Sequence, residues 1–205
     1  MENFVEACSV WLGARPEPVC HRAAQALRTA LDRGIDPVDH GDGTEPPALV
    51  HLPSLLEAPG RDGLADALGA VAADLRWFEP PAENLQRYLG GRNCMTQLLG
   101  PHGREAAQGP RFGTFLIAPG AVYPRHAHGA EELYLILSGS GRWSYDGEPY
   151  STRYAGEVVH SQSWQPHAIR TDDAALLMAW IWMGDVSFDS YRMEADGFDD
   201  KGEPI

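Results

Sequence analysis

Between Gly120 and Gly139 the chain reads GAVYPRHAHGAEELYLILSG, with two histidines two positions apart, a carboxylate four further on and a glycine at each end. Written as a spacing, this is G-x5-H-x-H-x3-E-x6-G. Imidazole nitrogens and a carboxylate oxygen are the donors taken by divalent Fe, Mn, Ni, Co or Zn. Residues i and i+2 of an extended chain project to the same side, so His126 and His128 can reach one ion together. The even spacing from Glu132 through Tyr134 to Ile136 predicts that these three line one face of the next strand. A lone HxH is commonplace on a polar loop. The full spacing between two glycines is far more specific. A second segment, Gly156 to His167, supplies another histidine eleven residues after a glycine.

These side chains need elements to hold them. The first 90 or so residues read as helices: Phe4, Val5, Cys8, Trp11 and Leu12 recur at helical spacing, as do Ala23, Leu27, Ala30 and Leu31 before Gly34. A third helix is predicted from Gly63 to Phe78, with Leu64, Leu68, Val71, Leu75 and Phe78 on one face and Pro80-Pro81 as its stop. A loop rich in Gly, Pro and Asp, from Asp36 to Pro47, separates the second and third. Beyond Gly90, short β-branched or aromatic runs alternate with turn residues, the pattern of an all-β sandwich or barrel. Strands are predicted near 94–99, 111–118, 132–137, 141–146, 149–154, 157–160, 167–170 and 174–183, with Asp146-Gly147 as a tight hairpin turn. The resulting division is a helical extension over 1–90, expected to cover the barrel or contribute to a homodimer interface, and a metal-binding β-barrel over 91–205.

The two glycine–histidine segments resemble the two motifs of the cupin superfamily, which implies a jelly-roll-like β-barrel. Carried over position by position, the resemblance makes His126, His128, Glu132 and His167 the ligands of one divalent metal ion per chain, leaving its identity among Fe, Zn, Mn, Ni and Co open. Gln162, Trp164 and Thr171 depart from the family's usual Pro, Gly and Asn. His160 is a candidate fifth ligand, but it reads better as a strand-end histidine that faces solvent or lies behind the ligands. No role falls to His21, His40, His51 or His102. Taken together, YPRHAHGAEELYLILSG, the Trp143 strand, HSQSWQPHAIRT and LLMAWIWMGD resemble the bacterial dimethylsulfoniopropionate lyases of the cupin type. That resemblance implies cleavage of a β-sulfonium carboxylate to dimethyl sulfide and acrylate, assisted by a metal and a nearby tyrosine.

The residues make chemical sense of such an elimination. It needs a Lewis acid for the charge that develops on the carboxylate and a base for the neighbouring proton. Tyr134, two residues after Glu132, is the expected base. Tyr123, whose direction beside Pro124 strand parity does not give, is the runner-up or a positioning partner. A sulfonium favours aromatic faces, which Tyr123, Trp180 and Trp182 offer. Each tryptophan also reads as barrel core.

Composition narrows the rest. The formal net charge is −13 with a pI near 4.9, a field that repels nucleic acid and anionic lipid. A small molecule is the expected partner. No apolar stretch approaches the roughly 20 residues of a membrane span. The segment Met1 to Glu6 is acidic and unlike a secretory signal, so a cytoplasmic protein is expected. Cys8, Cys20 and Cys94, odd in number and without a CxxC, read as reduced packing residues. Lys201 is the only lysine, which leaves Schiff-base chemistry without a candidate in the barrel. Two other functions share the ligand set: an Fe(II)-dependent dioxygenase, which would consume oxygen, and a binding protein without turnover.

Overall fold

Alternation along the two longest strands decides the architecture. The computed structural model describes residues 1–34, 44–80, 83–100 and 109–193. Five helices come first: α1 (Glu2–Gly13), α2 (Pro18–Leu31), α3 (Leu52–Glu57), α4 (Gly63–Gly69) and α5 (Glu83–Leu89). Nine strands follow: β1 (Asn93–Met95), β2 (Arg111–Ile117), β3 (Val122–Ala127), β4 (Ala130–Tyr145), β5 (Ser151–Tyr154), β6 (Val158–Ser161), β7 (His167–Arg170), β8 (Leu176–Gly184) and β9 (Arg192–Met193). They form one sheet in the order β1-β2-β8-β4-β7-β3-β9, with β5 and β6 also paired to β4.

The sheet closes because β4 belongs to both of its halves. The first part of β4 lies between β8 and β6, and the last part between β7 and β5. The bend falls where the register with β8 shifts, between Ile136 and Ser138, just before Gly139. Gly139 has φ of 77°, and a Cβ there would run into the carbonyl oxygen of Ala175. That accounts for the second glycine of the motif: only glycine takes this conformation and this close approach.

On β4, Leu133, Leu135 and Leu137 pack outward into the helices, while Tyr134 and Ile136 point into the barrel. On β8, Leu177, Ala179 and Ile181 face out, and Leu176, Met178, Trp180 and Trp182 face in. Burial on both faces explains why Leu176 to Met183 is continuously apolar rather than alternating. The outer cluster draws Phe4, Val5, Cys8 and Leu12 from α1 and Cys20, Ala23 and Leu27 from α2. Each fully buried Leu there contributes about 1.5–3 kcal/mol of transfer free energy. All three cysteines are buried and unpaired in this packing, and burial pushes their thiols up, Cys20 to about 11. They are packing residues rather than nucleophiles.

The predicted helix from Gly63 to Phe78 is shorter than expected. Asp62 caps α4 by accepting from the Leu64 N–H at 2.9 Å, and the helix ends at Gly69. A 3-10 turn follows at Ala72–Asp74, and Phe78 then exchanges two backbone hydrogen bonds with Met95. Gly69 is a weak helix former, and sheet pairing at Phe78 captures the chain that helical periodicity had claimed. Leu64, Leu68, Leu75 and Phe78 are nevertheless all buried. The strands predicted at 132–137 and 141–146 are one bent strand, and α3, α5, β3 and β9 were not anticipated. The Asp146-Gly147 turn is as predicted, with φ of 50° and 83° and a Glu148 N–H bonded to Tyr145. Most of the loop from Asp36 to Pro47, with His40, and also His102 lie outside the described residues. Among those described, no helix is long and apolar enough to cross a membrane.

Candidate metal centre

His126 lies near the end of β3, His128 lies in the short connection to β4, Glu132 is near the start of β4, and His167 opens β7. The structure brings all four together: one ligand atom from each lies within 4.8 Å of every other, and all four residues are buried. The His128 and His167 Nε2 atoms sit 3.2 and 3.1 Å from the same Glu132 Oε2.

The fit to a metal is visible in what lies behind the rings. The Nδ1 atom of His126 is 2.8 Å from the Pro124 carbonyl, that of His128 is 3.1 Å from Ala130, and that of His167 is 2.9 Å from Gln165. A carbonyl only accepts, so each Nδ1 carries a hydrogen, and Nε2 is the atom each ring turns toward the other ligands. Burial and the neighbouring imidazoles His167 and His128 hold His126 well below the usual histidine range, hence neutral. Burial alone would raise Glu132, but the hydrogen bonds and charges of His128 and His167 outweigh it and leave the group an anion. Three imidazoles and one carboxylate suit a divalent transition ion.

Trp182 does more than fill the barrel. Its indole N–H donates to Glu132 Oε1 at 2.7 Å, and its ring lies against His128 with centroids 4.2 Å apart. That leaves Oε2 to the imidazoles. Trp180 shares the inner face, edge-on to Trp182 at 6.0 Å, and donates to the Thr96 carbonyl at 3.3 Å. Tyr134 is buried on the inner face, as its parity with Glu132 predicts. Burial, then the Glu132 charge, then the neighbouring Tyr123 hold its phenol well above the usual range.

Tyr123 lies in β3, not in a turn. It and His126 are three apart, an odd spacing, yet both face inward, because the register with β7 shifts between them. Pro124 cannot donate to a ladder, and the irregularity rotates the chain there. The Tyr123 ring stacks on His126 with centroids 4.1 Å apart and 10° between planes. Its hydroxyl meets that of Tyr191 at 2.9 Å. Tyr191, which also stacks on His126 at 5.3 Å, is a site residue that the sequence did not reveal. It follows the last predicted strand, and nothing in the local pattern marks it.

His160 faces out of the barrel, where its Nε2 is 3.0 Å from Glu131. Arg22 of α2 grips the same carboxylate at 2.8 and 2.9 Å. In the β6–β7 turn Trp164 takes φ of 61°, the left-handed conformation for which the cupin motif's glycine is suited. Thr171 stands where the motif's Asn is expected, accepting from the Ala121 N–H at 3.0 Å and donating to the Ala118 carbonyl at 2.6 Å.

The profile of the dimethylsulfoniopropionate lyase family matches residues 19–178 of this chain. The dimethylsulfoniopropionate lyase DddQ of Ruegeria pomeroyi is 29% identical over 142 residues, covering 69% of this chain and 71% of its own. The DddL protein of Cereibacter sphaeroides is 30% identical over 143 residues, 67% of this chain; that match spans only 60% of DddL's length. The crystal structure of Ruegeria pomeroyi DddQ superposes with a TM-score of 0.69 at 26% identity, covering 96% of this chain and 98% of that one.

Proposed function

Because this chain belongs to the dimethylsulfoniopropionate lyase family, with a cupin barrel behind an N-terminal helical segment, we propose that it cleaves dimethylsulfoniopropionate to dimethyl sulfide and acrylate. The observation that carries the reading is a phenol, Tyr134, buried on the inner wall two residues along β4 from Glu132 of a buried three-histidine, one-glutamate set. One divalent ion per chain, held by His126, His128, Glu132 and His167, would supply Lewis acidity toward the substrate carboxylate.

The chain's own residues account for the remaining steps. As the phenolate, Tyr134 Oη takes the proton from the carbon beside the carboxylate and becomes the neutral phenol. The C–H electron pair becomes the new C=C bond, the C–S bond breaks, and its pair leaves on sulfur as neutral dimethyl sulfide. Burial and the Glu132 charge keep the Tyr134 phenol protonated, so its use as a base requires that charge to be compensated. Base strength and site occupancy are thereby coupled. Tyr123, fixed by Tyr191, and Trp180 present aromatic faces to the sulfonium. Trp182 holds the Glu132 carboxylate in orientation.

The test is to incubate metal-loaded protein with dimethylsulfoniopropionate and measure headspace dimethyl sulfide and dissolved acrylate, with dissolved oxygen followed in parallel. Equimolar dimethyl sulfide and acrylate at constant oxygen is the expected result. Oxygen consumed in proportion to product would replace the lyase by a dioxygenase.

A further inference from the structure

Two buried hydroxyls beside the ligands have no part in the steps above. Ser161 of β6 is the register partner of Glu132, and Tyr145 of β4 is the register partner of His167. Antiparallel partners project to the same face, so both hydroxyl side chains stand on the inner wall next to a ligand. Ser161 is fully buried, and among the described residues neither its Oγ nor the Tyr145 Oη has a hydrogen-bond partner. A phenol and a serine hydroxyl can each donate. Trp143, two residues earlier on the same face and fully buried, carries a third unpartnered group, an indole N–H that can only donate. Native interiors rarely leave buried donors unmade without a use for them. A wall of this kind calls for an acceptor-rich guest, and the protein's net charge of −13 makes specific donors necessary if that guest is an anion.

We propose that Ser161 Oγ–H and Tyr145 Oη–H form a carboxylate-binding pair that donates to the oxygens of a small monocarboxylate held beside Glu132 and His167. The identity of that carboxylate as dimethylsulfoniopropionate or its product rests on the lyase reading; the pair itself recognises any short aliphatic carboxylate. In the elimination, negative charge spreads from the deprotonated carbon into the carboxylate. Donors already aimed there bind the transition state more strongly than the ground state.

The experiment uses the full chain loaded with Mn(II), as wild type, Ser161→Ala and Tyr145→Phe, with sodium acrylate as the calorimetric probe and acrylamide as its uncharged counterpart. Each variant is expected to raise the acrylate Kd about tenfold, as for a lost charge-assisted hydrogen bond, with acrylamide binding, Mn stoichiometry and melting temperature unchanged. In turnover, kcat should fall by more than KM rises. An unchanged acrylate Kd in both variants would overturn the proposal and leave the hydroxyls to water. Loss of Mn from Ser161→Ala would also overturn it, since the hydroxyl would then be a support for Glu132. Wild type that binds acrylate through the pair but releases no dimethyl sulfide would retire the lyase reading and keep the carboxylate pair.

Discussion

Glu131 and Glu132 are adjacent on β4, yet the first is partly exposed and gripped by Arg22 and His160, while the second is buried among His128, His167 and Trp182. The same division continues along the strand. Leu133, Leu135 and Leu137 meet the helices, and Tyr134 and Ile136 meet the barrel interior. One face of β4 is therefore a stability surface and the other a chemical one, with period-two alternation as the partition. Mutations on the two faces should separate turnover from folding.

The largest effect falls on the inner face. His167→Ala or Glu132→Ala removes a ligand, and metal content and activity are expected to fall together, activity by about three orders of magnitude or more. Elemental analysis beside the dimethyl sulfide assay checks this; full metal occupancy in His167→Ala would strike that residue from the set. Tyr134→Phe should lower kcat by about two to four orders of magnitude at unchanged metal content. Near-normal turnover there would pass the base role to Tyr123. The outer face should answer differently. Leu133→Ala is expected to cost about 2–5 kcal/mol of stability in denaturant titration while the folded fraction keeps its specific activity.

Smaller effects sharpen the boundary. Trp182→Phe keeps the ring and deletes the N–H to Glu132, and metal affinity measured by competition with a chelator should weaken about 10- to 100-fold. Arg22→Ala breaks the pair with Glu131 outside the barrel. Its exposed guanidinium limits the loss to below about 1 kcal/mol in thermal unfolding, with turnover unaffected.

How much of this was legible in the sequence follows the same partition. Ligand spacing and strand parity are local, so His126, His128, Glu132 and the inward Tyr134 were readable from one short stretch and His167 from a second, with the cupin resemblance joining the four into one set. Tyr123 was not, because the β3 irregularity breaks parity within three residues. Tyr191 reaches the site from 68 residues beyond Tyr123, and Ser161 and Tyr145 owe their places to cross-strand register. Such relations exist only once the sheet is paired. The third helix was overextended for a related reason: Leu75 and Phe78 are buried, as the periodicity demanded, but Phe78 is buried by a strand partner rather than a helical turn.

The β6–β7 turn has a consequence for light rather than for chemistry. Trp164 is 52% exposed, whereas Trp143, Trp180 and Trp182 are buried and Trp11 and Trp77 are half-buried. Its backbone N–H donates to the carbonyl of His128 at 2.8 Å, and its neighbour Ser163 donates to Gly129 at 2.7 Å. A neutral collisional quencher therefore reaches this indole more readily than the other five, and the emission it removes comes mainly from the turn bonded to a ligand's own backbone. Where the motif's glycine would have been spectroscopically silent, the protein carries a native fluorophore that reports on the loop holding His128.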